Sequence, residues 1–265
     1  MKRFWHILRK VLTITAVISC AALFLVTLTS AIQKKAQLKC NQLFVHIDYD
    51  SGISFLKEQE VTERLNYLSG NDLPGRILSS IDFKTLEREL EENPFVEHAV
   101  IFVDGNRNII ANITQKRPIL RILNSDGVSY YMGEKGEHIP LSDNFTPHVT
   151  IATGMVENHE SPMRDSIVLV NLYQLVLALR GDDFLNALVD QIVVKEDGAL
   201  DFIPKISGHV IHFGQVDENM NEKFSRLKTF YNEGMRKVGW NKYKAIDLRF
   251  NNQVVCEKRD TTNTL

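Results

Sequence analysis

Two histidines three residues apart, in His209-Val210-Ile211-His212, are the best candidate in this sequence for metal chemistry. They lie in a run that reads as a strand. Strand residues three apart point to opposite faces, so the two imidazoles cannot share an ion, and the pair is read as surface histidines. Asn158-His159-Glu160 lies in a loop, with no partner identifiable from the sequence. Asp182-Asp183 could be a pair of carboxylates for acid–base work, but reads better as a helix N-cap and first turn. There is no Gly-rich phosphate loop, Gly-x-Ser-x-Gly elbow, His-Glu-x-x-His or Cys-x-x-Cys. The expectation is a chain that is not an enzyme, with no catalytic residue, cofactor or metal. Of the cysteines, Cys40 and Cys256 lie far apart and are read as free thiols.

What positions the chain is an apolar run, Val11 to Ile32, without a charge, Pro or Gly. As a helix at about 1.5 Å per residue it is long enough for a hydrocarbon core of about 30 Å. Lys2, Arg3, Arg9 and Lys10 precede it and Lys34, Lys35 and Lys39 follow, cations that can reach the headgroups. A cleaved signal peptide has a shorter apolar run, although Thr29-Ser30-Ala31 would pass as a cleavage site. Val17-Ile18-Ser19-Cys20 could be a lipidation box, but an apolar stretch follows Cys20 where a polar tether is wanted. A buried core helix would show polar periodicity, and none is visible. The run is read as an uncleaved transmembrane helix, residues 11–32, after a cytoplasmic basic head, residues 1–10.

The counted cations, four before and three after, hardly set the orientation. A short basic head stays inside easily, however, and long mixed-charge domains translocate regardless of charge. Without the four head cations, 27 basic residues face 33 acidic ones, which argues against nucleic acid as a partner. A hydrophobic content of 44% and a charged content of 24% suit a globular body with room for one or two domains.

After a connector at 33–41, Leu43 to Tyr49 alternates as a strand, and Lys57 to Leu68 carries Val61, Leu65 and Leu68 on one helical face. Asp82 caps a helix whose apolar face is Phe83, Leu86 and Leu90, and Asn93-Pro94 ends it. A strand from Phe95-Val96 to Val103, a turn at Asp104 to Asn108 and a return strand with Ile109, Ala111 and Ile113 follow. The compact solution is a three-stranded sheet covered on one face by two helices.

The run from Ser79 to Ile122, with Asn93-Pro94-Phe95-Val96 and Gln115-Lys116-Arg117-Pro118, resembles the POTRA domain of the FtsQ/DivIB family of bacterial cell-division proteins. The likeness continues through Tyr130 to Leu141, with its Pro140-Leu141, and through Val149 to Gly154. It ends on Tyr243 with Ile246-Asp247-Leu248-Arg249-Phe250, the most specific motif in the chain. Between these lie an apolar helix, Ile167 to Leu179, read as core, then strands around Ile192, Leu200 and Val210, and a helix at roughly 219–238. Asn251-Asn252 reads as a two-residue hairpin turn and Gln253 to Lys258 as the closing strand.

The resemblance implies an α+β chain: a POTRA domain at 42–118, a β-rich domain with flanking helices at 119–259, and a disordered tail at 260–265. It implies a non-enzymatic divisome scaffold, single-pass in the cytoplasmic membrane, with its body outside at the septum. Implied partners are FtsB/DivIC-like and FtsL-like bitopic proteins and, through them, the septal peptidoglycan synthase complex. Asn112-Ile113-Thr114 and Asn144-Phe145-Thr146 match the N-glycosylation pattern, by chance in a bacterial protein. The alternative class, an export or outer-membrane assembly component, wants tandem POTRA modules and a barrel, and the sequence shows neither. In the family the FtsB contact lies at the motif and the hairpin after it. That maps onto Arg249, Phe250, Asn252, Val254, Val255, Cys256, Glu257 and Lys258. Phe250 stands where the family often has Tyr, so a hydroxyl-dependent contact does not carry over. The closing strand precedes only a polar tail and is expected at a sheet edge, open to strand addition.

Thiol labelling checks the topology. With the native cysteines replaced, single cysteines in the body should react with an impermeant reagent in intact spheroplasts, and one near Lys2 should not. The opposite pattern reverses the orientation.

Overall fold

The computed structural model describes residues 15, 18–25, 37–49, 52–70, 72–157, 162–206 and 208–259. The expected head, the tail and Asn158-His159-Glu160 lie outside these residues, as does most of the expected span at 11–32. Of that span, Thr15 and Ile18 to Leu25 are described and helical, with Ile18, Leu23, Phe24 and Leu25 exposed. No helix among the described residues is long and apolar enough to cross a membrane.

The chain forms two compact units, one ending at Thr114 and the other comprising Tyr49–Phe55 and the residues from Gln115 onward. In the first, β1 (Leu43–Ile47), α1 (Glu58–Leu68), α2 (Phe83–Glu91), β2 (Val96–Val103) and β3 (Ile109–Gln115) follow one another. The strand order is β1-β3-β2, and β1 runs parallel to β3 with Leu43 opposite Ile109. Period-2 alternation turns Val45, Ile47, Ala99, Ile101, Ile109, Ala111 and Ile113 inward, where Val61 and Leu65 of α1 and Leu86 and Leu90 of α2 are also buried. Asp82 caps α2 by accepting the Thr85 N–H at 3.2 Å. In the turn, Asp104 Oδ1 accepts the N–H groups of Asn106 and Asn108, both at 2.8 Å.

One expectation changes here. Leu38 to Asn41, expected as connector, is structured: Lys39 bridges to Ile77, and the buried Cys40 donates its N–H to the Arg76 carbonyl at 2.8 Å. Phe95 is only half-buried, whereas its neighbour Val96 is fully buried.

The second unit is built on β4 (Pro118–Asn124), β5 (Ser129–Gly133), β6 (His138–Ile139), β7 (Thr150–Gly154), α3 (Pro162–Arg180), α4 (Asp183–Leu188), β8 (Val189–Val194), β9 (Leu200–Pro204) and β10 (Val210–Gly214). It continues with α5 (Met220–Thr229), a π-helical stretch (Phe230–Met235), α6 (Arg236–Val238), β11 (Tyr243–Asp247) and β12 (Val255–Lys258). One mixed sheet of nine strands runs β12-β11-β10-β9-β8-β7-β4-β5-β6. The pairs β4–β7, β7–β8 and β10–β11 are parallel. A single core joins sheet residues such as Leu120, Ile192, Phe202, Phe213 and Ile246 to Leu172, Leu175, Phe224, Leu227 and Tyr231 from the helical segments.

Asp182 caps α4 as expected, accepting from the Phe184 and Leu185 N–H groups at 3.1 Å each. The helix read as core starts earlier, at Pro162, and is core on one side only. Val168, Leu172, Leu175 and Leu179 are buried, while Met163, Ile167, Val170 and Leu177 are exposed. The two histidines do diverge, but His209 is no surface residue. It is 1% exposed, its Nε2 is 2.5 Å from the Tyr231 hydroxyl, and burial, then the nearby Arg259 charge, push its pKa down. All three cysteines are free.

These burials decide which side chains hold the first unit together. Leu90→Ala should destabilise it by about 2–5 kcal/mol, and Phe95→Ala by clearly less. Chemical denaturation of both variants checks this, and an equal loss would show Phe95 to be a core residue.

Candidate partner-binding edge

A nine-stranded open sheet has two edges, and β12 forms one of them. It runs antiparallel to β11, with Asp247 opposite Val255, Ile246 opposite Cys256 and Ala245 opposite Glu257. The Arg259 N–H donates to the Lys242 carbonyl at 3.0 Å, which fixes the sense of the ladder. By alternation the N–H groups of Val255 and Glu257 also face β11, and those of Cys256 and Lys258 face the free edge.

The hairpin expected at Asn251-Asn252 is wider than a two-residue turn, because β11 stops at Asp247 and β12 starts at Val255. Asn252 still takes a left-handed conformation, at φ 60°, inside this longer connection. Arg226, in the last turn of α5, holds the loop from within. Its Nη1 donates to the Phe250 carbonyl and, at 3.1 Å, to the Gln253 carbonyl, and its Nη2 reaches the Leu248 carbonyl at 3.2 Å. Beside the loop a groove of about 510 Å³ is lined by residues that include Thr229, Phe230, Gly234 and Lys237 from the helical side and Gln253 and Val254 from the loop.

The predicted contact residues occupy distinct positions. Ile246 and Leu248 are fully buried, as their alternation implies. Arg249 is exposed and turned back on its own motif, its Nε 2.9 Å from Asp247 Oδ1 and its Nη2 2.6 Å from Oδ2. Burial raises the Asp247 pKa, but the Arg249 hydrogen bonds outweigh it and the carboxyl titrates below its ordinary range. Phe250 is 46% exposed and Asn252 is at the surface. Val254 and Cys256 pack partly against the core, and burial raises the Cys256 thiol pKa. Val255, 41% exposed, and Glu257 point away from the core, and Glu257 pairs with Lys244 at 2.6 Å. Lys258 is exposed at the strand's end.

Elsewhere in the sheet, Asp201 of β9 is engaged by two basic neighbours. Asp201 accepts from Lys195 at 2.9 Å and lies 2.8 Å from His212 Nδ1. Among the described residues no group of three His, Cys, Asp or Glu side chains could hold a metal. What the edge offers is backbone donors and acceptors beside exposed apolar and charged side chains.

Residues 117–257 match the family model described as FtsQ/DivIB, C-terminal related. The chain belongs to the FtsQ/DivIB family. A POTRA-like domain model matches residues 38–114, taking in the structured Leu38 to Asn41. A search of curated proteins finds no match. The FtsQ/DivIB-related region runs from the start of the nine-stranded sheet into β12, so the edge lies within the family's own domain.

Sequence reasoning missed Arg226. An arginine near the end of an amphipathic helix reads as a solvated charge, and nothing local links it to carbonyls more than twenty positions on. The structure makes it the clamp of the connection that presents β12. Arg226→Met should therefore cost on the order of 2 kcal/mol and speed amide exchange across 248–254. Unchanged exchange there would show that the loop holds itself.

Proposed function

We propose that this FtsQ/DivIB-family chain is a membrane-anchored scaffold of the bacterial division machinery, without catalytic activity, that recruits a small bitopic partner of the FtsB/DivIC type by adding a strand to β12. An FtsL-like protein and the septal peptidoglycan synthase complex would follow through that partner. The anchor is the apolar run from Val11 to Ile32, with the body outside the cytoplasmic membrane at the septum. The observation that carries this reading is the edge position of β12, unpaired on its outer side among the described residues, with outward backbone groups at Cys256 and Lys258. Strand addition draws affinity from main-chain hydrogen bonds and selectivity from alternate side chains. Here those side chains are Val255 and Glu257 on one side and Val254 and Cys256 on the other, with Phe250, Arg249 and Asn252 beside the entry to the strand.

Proline separates edge addition from simple unfolding. On an edge strand a proline is tolerated where its N–H would face outward and harmful where it would serve the ladder. Cys256→Pro and Lys258→Pro should keep the fold and reduce recovery of the FtsB-type partner with the full-length chain by roughly tenfold or more. Val255→Pro should instead break the β11–β12 ladder and lower the melting midpoint. Native partner recovery in both outward-facing variants would remove this edge from consideration.

A further inference from the structure

On the second unit, away from β12, a cleft of about 580 Å³ opens where β4, β7 and β8 begin. Arg121 of β4, Thr150 of β7, Asp190 of β8 and Lys205 just after β9 line it, joined by Arg180 at the end of α3 and Asn186 of α4. Three cations thus meet one carboxylate in a concavity of a size usual for small-molecule sites. The adjacent strands β4, β7 and β8 carry three of these groups, which makes the spacing of those three rigid.

Arg121 is the most constrained of the cations. Its Nε donates to Ser129 Oγ at 3.0 Å, and its guanidinium lies over the ring of the buried Tyr131, 5.8 Å from the centroid. Both Nη groups are without a partner among the described residues. A guanidinium held on one edge and one face presents its remaining edge as a preorganised fork for two oxygens of one anion. The Lys205 ammonium also has no acidic partner among the described residues. Arg180 has one, Glu134, at 3.4 Å, but both members are well exposed and such pairs are weak. The Thr150 hydroxyl and the Asn186 amide add neutral hydrogen-bonding groups.

We propose that this cleft binds a phosphoryl group, taken on the Arg121 fork and neutralised by Lys205 and Arg180. A doubly charged group with several equivalent oxygens matches three cations better than a single carboxylate does. The cleft needs no partner protein, so the proposal stands apart from the strand-addition reading.

The test uses the full-length chain in zwitterionic nanodiscs, titrated calorimetrically at constant ionic strength. Two probes separate the possible sources: inorganic pyrophosphate for a free phosphorylated solute, and soluble short-chain phosphatidate for a lipid headgroup. Saturable binding of either supports the cleft, and the tighter one names the source. Arg121→Gln and Lys205→Gln should each weaken binding about tenfold. Lys205 is exposed, and Lys205→Gln removes no side-chain hydrogen bond or ion pair among the described residues, so it separates lost binding from a lost fold. No binding of either probe, undiminished binding in both variants, or equally tight binding of citrate would overturn the proposal.

Discussion

Every backbone N–H and C=O in a sheet must find a partner, and in an open sheet the outermost strands leave one row unmet. The nine-stranded sheet treats its two edges differently. At one end β6 is only two residues long, and its Ile139 is fully buried. At the other, β12 offers four residues with exposed side chains at Val255, Glu257 and Lys258. A two-residue edge is blunted by its shortness, whereas a four-residue edge is long enough to template another strand. The asymmetry between the ends is what singles out β12.

The same constraint explains why Arg226 matters. Between β11 and β12 the chain leaves the ladder at Leu248 and rejoins it only at Val255, and the carbonyls in between need donors. One guanidinium supplies several at once, with a fixed fork that suits closely spaced oxygens. Leu248, fully buried, anchors the near end by donating its N–H to the His212 carbonyl at 2.9 Å. The loop is therefore tied to the core at its start and to α5 along its length. Strand β12 is presented by that fixture.

Periodicity carried most of the fold. Alternation around Val45 and Ile109, the face formed by Leu86 and Leu90, and the Asp82 and Asp182 caps all reappear as elements with the expected burial. The misreadings share a physical cause, which is that the deciding partner lies far away in sequence. Asn251-Asn252 looks like a tight turn until Arg226 is seen holding a wider loop. His209 looks solvated until the Tyr231 hydroxyl, more than twenty residues on, is found beside its ring. The all-round apolar character of α3 suggested burial on every side, yet Met163, Ile167, Val170 and Leu177 face outward. The cleft around Arg121 was illegible for the same reason. Its cations come from separate elements that only the strand order brings together.

The parallel pairing of β1 with β3 bears on how the first unit comes to be folded. Strand β1 has one neighbour, and Leu43 meets it at Ile109, 66 residues further along. Strands β2 and β3 are joined by a short turn, and α2 lies just before β2, so these three can assemble from local contacts within milliseconds or faster. Closing the longer loop costs entropy before any ladder bond repays it. The strand synthesised first is thus the one whose sheet pairing closes the longest loop. Until it arrives, one side of β3 is a temporary edge whose backbone groups β1 later pairs. The interval before β1 docks is when the young chain is most open to mispairing with its own copies.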